Sequence, residues 1–332
     1  MKVTWFGTTT LLFDDGRDQV LFDCHVTRPS IPRYLFGQLR TDAALADRLI
    51  ERHHIDRLRA IFVSHAHHDH VMDAPFFALR CGAAIYGSPS ALNVGRGGGV
   101  PEDRLRPFGD PDIIGGFEVT ALPSLHSKPT LFNNDLGQTI DRPVAQPARK
   151  RNYKEGRSWD FVVRHSGRTY VIRPSFNYIE EQLDGVCADV LFLGVSGLSK
   201  ADAATRARFF AETVDKVRPH TVIPIHWDDF FSPLAKPVRG MPRFIEDTGR
   251  SLRILGDYCG ARGINCLVQL PLTSVELSSP SAVVSQENEM TRLEAQRAID
   301  DLRAEAKTLP EMSLDEINAE ISAVRLERKS RA

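Results

Sequence analysis

The apolar positions of this chain begin as short runs broken by turn residues. Val3–Phe6 and Thr9–Phe13 read as two strands, Asp14-Asp15-Gly16 as a hairpin turn, and Val20–Phe22 as a third strand. Thr41–Ile55 follows a helical period, with Leu45, Leu49 and Ile50 on one face. Arg59–Ser64 reads as a buried strand. Ala74–Arg80 follows as a helix, and Ala84–Tyr86 and Phe117–Leu122 as strands. Strands resume at Phe161–Arg164 and Thr169–Ile172 around the turn His165-Ser166-Gly167. Val190–Leu193 and Thr221–Pro224 are further buried strands with a helix near Ala203–Val217 between them, and a last strand lies near Ile264–Gln269.

Two segments break this alternation. From Ser127 to about Trp159 the chain is irregular and rich in Pro, Asn, Gly and charge, and a loop of that length in a compact domain is commonly functional. After about Ser274 the composition turns Ser/Pro-rich, then charged and helical. Ser313-Leu314-Asp315-Glu316 forms a capping box ahead of an apolar stripe of Leu314, Ile317, Ile321 and Val324. We therefore expect a first domain over 1–275 and a helical extension over 276–332, which could pack on its own domain or join two copies.

Composition narrows the classes. With 42% hydrophobic and 26% charged residues and a net charge of −1, the chain is that of a globular protein without the basic excess of a nucleic-acid binder. Five cysteines without CxxC spacing argue against a disulfide framework. No run approaches the length of a membrane helix, so a cytoplasmic location is expected.

The chemistry gathers at strand ends. Ser64 delivers the chain into His65-Ala66-His67-His68-Asp69-His70, which mixes imidazoles with a carboxylate, a donor set suited to zinc or another divalent first-row metal such as manganese or iron. His65 and His67 alternate and can face one ion, while Asp69 and His70 can face a second. His126 and His226 also follow strands.

The pattern His65-x-His67-x-Asp69-His70, followed by His126 and His226, resembles the signature of the metallo-β-lactamase superfamily over roughly residues 1–270. The opening Trp5-Phe6-Gly7-Thr8-Thr9-Thr10 and the closing His226-Trp227-Asp228-Asp229-Phe230 are similar to a subgroup that includes ascorbate-6-phosphate lactonase and N-acyl-phosphatidylethanolamine phospholipase D, with Thr8 where that subgroup has His. The resemblance implies an α/β fold, a four-layer αββα sandwich. It implies one metal on His65, His67 and His126 and a second on Asp69, His70 and His226. It also places Ser175 where an aspartate bridges two ions in dinuclear members, with Asp228 and Asn177 as candidate substitutes. Asp23 resembles the aspartate that supports the ligands from behind.

These residues fit a hydrolase in which zinc activates a water and Asp69 orients it or shuttles its proton. The expected substrate is a small ester, lactone or phosphodiester. Phe132, Tyr153 and Trp159 could supply apolar contacts, and Lys128, Arg149, Lys150 and Arg151 could meet an anionic group. A superfamily nuclease, or a metal-binding or sensing protein without dinuclear catalysis, are the alternatives. Cys24 beside His25 does not make a dyad, because adjacent strand residues point apart.

Overall fold

The computed structural model describes residues 1–129 and 134–277. The Ser313 capping box, its apolar stripe and Phe132 lie outside the described residues.

Among the described residues, fourteen strands form two sheets of seven. The first sheet contains β1 (Lys2–Trp5), β2 (Leu11–Asp14), β3 (Gln19–Phe22), β4 (Leu58–Phe62), β5 (Ala84–Tyr86) and β6 (Leu105–Arg106). The second contains β7 (Asp112–Ile114), β8 (Phe117–Ser124), β9 (Ser158–His165), β10 (Arg168–Arg173), β11 (Val190–Gly194), β12 (Thr221–Ile225) and β13 (Asn265–Cys266). The last strand, β14 (Thr273–Glu276), returns to the first sheet and pairs antiparallel with β1. That strand crosses the boundary expected at 275/276.

Each sheet is antiparallel on one half and parallel on the other. Parallel neighbours need crossovers, which supply the outer helix layers. Of these, α2 (Ala43–Arg52), α4 (Ala74–Cys81) and α5 (Pro89–Gly97) cover the first sheet, and their apolar faces share a core with Leu12, Leu21, Ile61 and Ile85. Against the second sheet lie α6 (Ala203–Phe210) and α7 (Thr248–Gly260), through Phe209, Leu252 and Leu255. Two short helices, α1 (Ile31–Phe36) and α3 (His68–Val71), stand at the strand ends. The layers are helix, sheet, sheet, helix, as the resemblance implied.

Between the sheets the core is aromatic. Phe13 meets Tyr170 and Phe192 with ring centroids 5.4 and 5.6 Å apart, and Phe22 meets Phe161 at 5.2 Å. These contacts cross from one sheet to the other, so they fix the sheets' relative position. The caps are local: Asp42 accepts from the Leu45 N–H, Asp202 from that of Thr205 and Asp247 from that of Arg250. The expected strand over Ile264–Gln269 shrinks to Asn265–Cys266. The helix expected over Ala203–Val217 reaches its expected end: it is α-helical to Phe210, widens over Ala211–Asp215 and is α-helical again at Lys216 and Val217.

Candidate metal centre

Three strands end on one side of the sandwich and each hands over a histidine: β4 leads to His65, β8 to His126 and β12 to His226. The backbone departs from extended geometry at these exits. His226 has φ of 58°, and its N–H donates to the Thr8 carbonyl, whose own residue has φ of 50°. A left-handed β-branched residue is costly, and it persists where the surroundings over-determine it. Here Asp228 accepts from the Thr8 N–H at 2.8 Å and pairs with the buried Arg28, which also binds the Phe6 and Asp229 carbonyls. Gly7, at φ of 98°, is required beneath that clamp, since a Cβ there would collide with the Arg28 guanidinium.

All six sequence candidates come together as two triads. His65, His67 and His126 form one; Asp69, His70 and His226 form the other; within each, the donor atoms lie within 4.8 Å of one another. Among the described residues these are the convergent groups of three or more His, Cys, Asp and Glu donors. The triads adjoin, with the His65 and His70 rings 3.7 Å apart between centroids.

Neighbouring groups select which atom each side chain presents. His70 turns Nδ1 to Asp23 Oδ2 at 2.7 Å, which leaves Nε2 beside Asp69 Oδ2 at 3.6 Å. His226 Nε2 faces the same oxygen at 3.6 Å. His67 turns Nε2 to Asp135 at 3.1 Å, leaving Nδ1 for the triad. His65 places Nδ1 on the Ser64 hydroxyl at 3.1 Å, while its Nε2 is buried with no hydrogen-bond partner in the structure. A buried imidazole nitrogen left unmatched beside two other imidazoles fits a metal ligand, and the donor chemistry of both triads suits a divalent cation.

The electrostatics agree. Burial, then the neighbouring imidazoles, push His65 well below its ordinary pKa, and burial with His67 takes His126 to about 3. Burial and His70 also lower His226. The neutral ring is the metal-binding form. Burial opposes ionisation of Asp69, but His70, His68 and His226 together hold its carboxyl well below the usual range.

Several expectations need correction. Asp228 is committed to Arg28 and Thr8. Asn177 spends its side chain on the His126 carbonyl and the Tyr178 N–H. Both position the ligand-bearing strand ends rather than replacing a bridging aspartate, and Ser175 is buried just beyond β10. Tyr153 is buried in the core under the first sheet, and Trp159 packs on Phe108, so neither lines the triads. Of the basic run, Arg149 and Arg151 line an open groove of about 660 Å³ whose walls include none of the six candidates. Lys150 instead sits over the Tyr34 ring. Cys24 is wholly buried, and burial with Asp73 raises its thiol well above the usual range, so it is no nucleophile. Sequence reasoning missed Asp135, which lies in a segment with no periodic pattern, and Tyr34, which sits on a helix too short to announce itself.

Comparison with known proteins agrees with this architecture. The model of the β-lactamase superfamily domain matches residues 18–227. A UPF0173 metal-dependent hydrolase of Pyrobaculum arsenaticum is 25% identical over 233 residues, covering 69% of this chain and 85% of its own. Another, from an Anaeromyxobacter species, is 26% identical over 243 residues, covering 69% and 75%. The metallo-β-lactamase fold protein YhfI of Bacillus subtilis superposes with a TM-score of 0.51 at 15% identity, over 83% of this chain and 99% of its own. The chain belongs to the β-lactamase superfamily. Within it, its class is that of the metal-dependent hydrolases.

Proposed function

We propose that the protein hydrolyses a small-molecule ester, lactone or phosphodiester at a centre of one or two divalent metals, zinc being the first choice. The observation that carries this reading is the pair of adjoining triads, one of which includes the buried, unmatched Nε2 of His65. His65, His67 and His126 would hold one ion, and Asp69, His70 and His226 the other. A divalent metal there supplies water that ionises near neutral pH and a Lewis acid for a carbonyl or phosphoryl oxygen.

The chain's own residues do the rest. The two oxygens of Asp69 have different neighbours: Oδ2 faces His70 and His226, and Oδ1 faces His68 Nδ1 at 3.4 Å. With Oδ2 turned to the two ligand histidines, Oδ1 would be the oxygen left to accept a proton from water at the centre. Asp23 keeps His70 in one tautomer and orientation. Two described residues after His126 reach the metal-binding turn: Asp135 meets His67, and the Glu155 carbonyl accepts from the Ala66 N–H.

The test is the metal content of protein purified without added metal, followed by a screen of esters, lactones and phosphodiesters before and after chelation. Activity surviving complete demetallation would sink the proposal. Ser175 favours a second reading, a metal sensor: one tightly held ion per chain and no turnover would support it.

A further inference from the structure

Arg173, the last residue of β10, is wholly buried, as is Asp160 on β9. Arg173 Nη2 lies 3.1 Å from Asp160 Oδ2. The guanidinium is nevertheless poorly matched, since its Nε and Nη1 are buried with no hydrogen-bond partner in the structure. A buried ion pair is often no more stable than apolar side chains of the same volume, and unmatched donors add to its cost. Stability therefore does not account for the pair. A directed contact does. Among the described residues the guanidinium makes one hydrogen bond, from Nη2 to the Asn177 carbonyl at 2.9 Å.

That bond leads to a candidate ligand. Asn177 Nδ2 donates to the His126 carbonyl at 2.7 Å, and the Phe176 N–H donates to the Ser127 hydroxyl at 3.2 Å. The turn after β10 thus grips two successive residues at the exit of β8. The turn itself is pressed against the end of β11, where a Cβ on Gly194 would collide with the Pro174 carbonyl. His126 sets Nδ1 on the Ser127 carbonyl at 3.0 Å, which leaves Nε2 for the triad, and the His65 and His67 rings each lie 4.8 Å from its own. The second triad is held by other groups: Asp23 orients His70, and the Thr8 carbonyl accepts from the His226 N–H.

We propose that Arg173 is a positioning residue for the first triad: acting through Asn177, it fixes His126 where His65 and His67 can share an ion with it, and it leaves the second triad untouched. Asp160 holds the guanidinium over the turn. The inference rests on the reading of His65, His67 and His126 as a metal site, and it adds a selectivity between the triads that the ligand sets alone do not contain.

The test is zinc affinity, measured by competition with a chromophoric chelator, alongside thermal unfolding. Arg173→Met with Asp160→Leu replaces the pair by apolar side chains and leaves no charge buried. This double variant should be as stable as wild type, yet bind one zinc ion per chain about tenfold more weakly and the other within about twofold. Asn177→Ala cuts the same link nearer the ligand and should give the same loss. Added to the double variant it should cost nothing more, because the two changes act in series. In His65→Ala, whose first triad is already broken, the Arg173 and Asp160 changes should leave the remaining ion within about twofold. Unchanged zinc affinity in the double variant and in Asn177→Ala, equal weakening of both ions, or losses that add would overturn the proposal. Wild type that binds no divalent metal would defeat the metal-centre reading and this inference with it. Wild type that binds zinc no better than the variants do would defeat this inference alone.

Discussion

Asp23 Oδ2 lies 2.7 Å from His70 Nδ1, and the same oxygen accepts hydrogen bonds from the hydroxyls of Thr9 and Ser64. Its other oxygen accepts from the Ser64 N–H at 2.7 Å. One buried carboxylate thus joins the end of β3, the exit of β4 and a candidate ligand. Burial alone would keep His70 neutral, but Asp23 and Asp69 outweigh it and raise its pKa. Asp23→Asn preserves the volume and removes the charge. Metal affinity should fall about 10- to 100-fold, measured by competition with a chromophoric chelator. Unchanged affinity would mean that Thr9 and Ser64 suffice to orient the ring.

The two triads should fail separately. His65→Ala and His226→Ala each remove a donor from a different group. Elemental analysis should find each variant with about one ion fewer than a two-metal wild type, because the remaining triad keeps its three ligands. If either variant lost all its metal, the triads would be one interdependent site.

Arg28 and Asp228 form an ion pair whose side chains are 5% and 1% exposed. Arg28→Met leaves Asp228 buried without its partner and should cost about 3–5 kcal/mol in denaturant unfolding. The double substitution Arg28→Met with Asp228→Asn should cost less than Arg28→Met alone. Equal costs would show that the Arg28 contacts with the Phe6, Asp229 and Ser232 carbonyls dominate over the charge pair.

Asp160 is buried beside Arg173, and burial outweighs the guanidinium to push its carboxyl up to about 6. A folded-state value above the unfolded one means that the folded protein holds the proton more tightly. The resulting stabilisation is complete below the unfolded pKa of about 4 and disappears as pH rises through about 6. The stability of wild type relative to Asp160→Asn should therefore decline between about pH 4 and pH 7, measured in chelator so that metal release does not contribute. A flat difference would show that Arg173 already keeps the carboxylate charged at the acid end.

Strand identity was legible where residues on both faces are buried. Leu11–Asp14, Val190–Gly194 and Thr221–Ile225 read as apolar runs because both their faces meet protein. β14 was not legible: Thr273–Glu276 buries only Val275, and its place at the sheet edge comes from pairing with β1, 270 residues away. Tyr34 and Phe231 likewise lie far apart in sequence, and no local pattern marks them as neighbours.

By itself, the sequence determined the strand order and the strand-end histidines, and its resemblance to the superfamily signature supplied the fold class and all six candidate ligands. Strand periodicity is local, and the ligand-bearing residues stand immediately after strands, where the chain must leave the sheet. The resemblance had already divided those donors into the two triads that the fold brings together; only the tertiary structure decided which nitrogen of His67 and His70 is turned away toward Asp135 and Asp23. It alone withdrew Asp228 and Asn177 from ligation and brought Tyr34, Phe231 and Lys150 together. Those outcomes depend on contacts between segments distant in the chain, and such contacts exist only once the two sheets have packed.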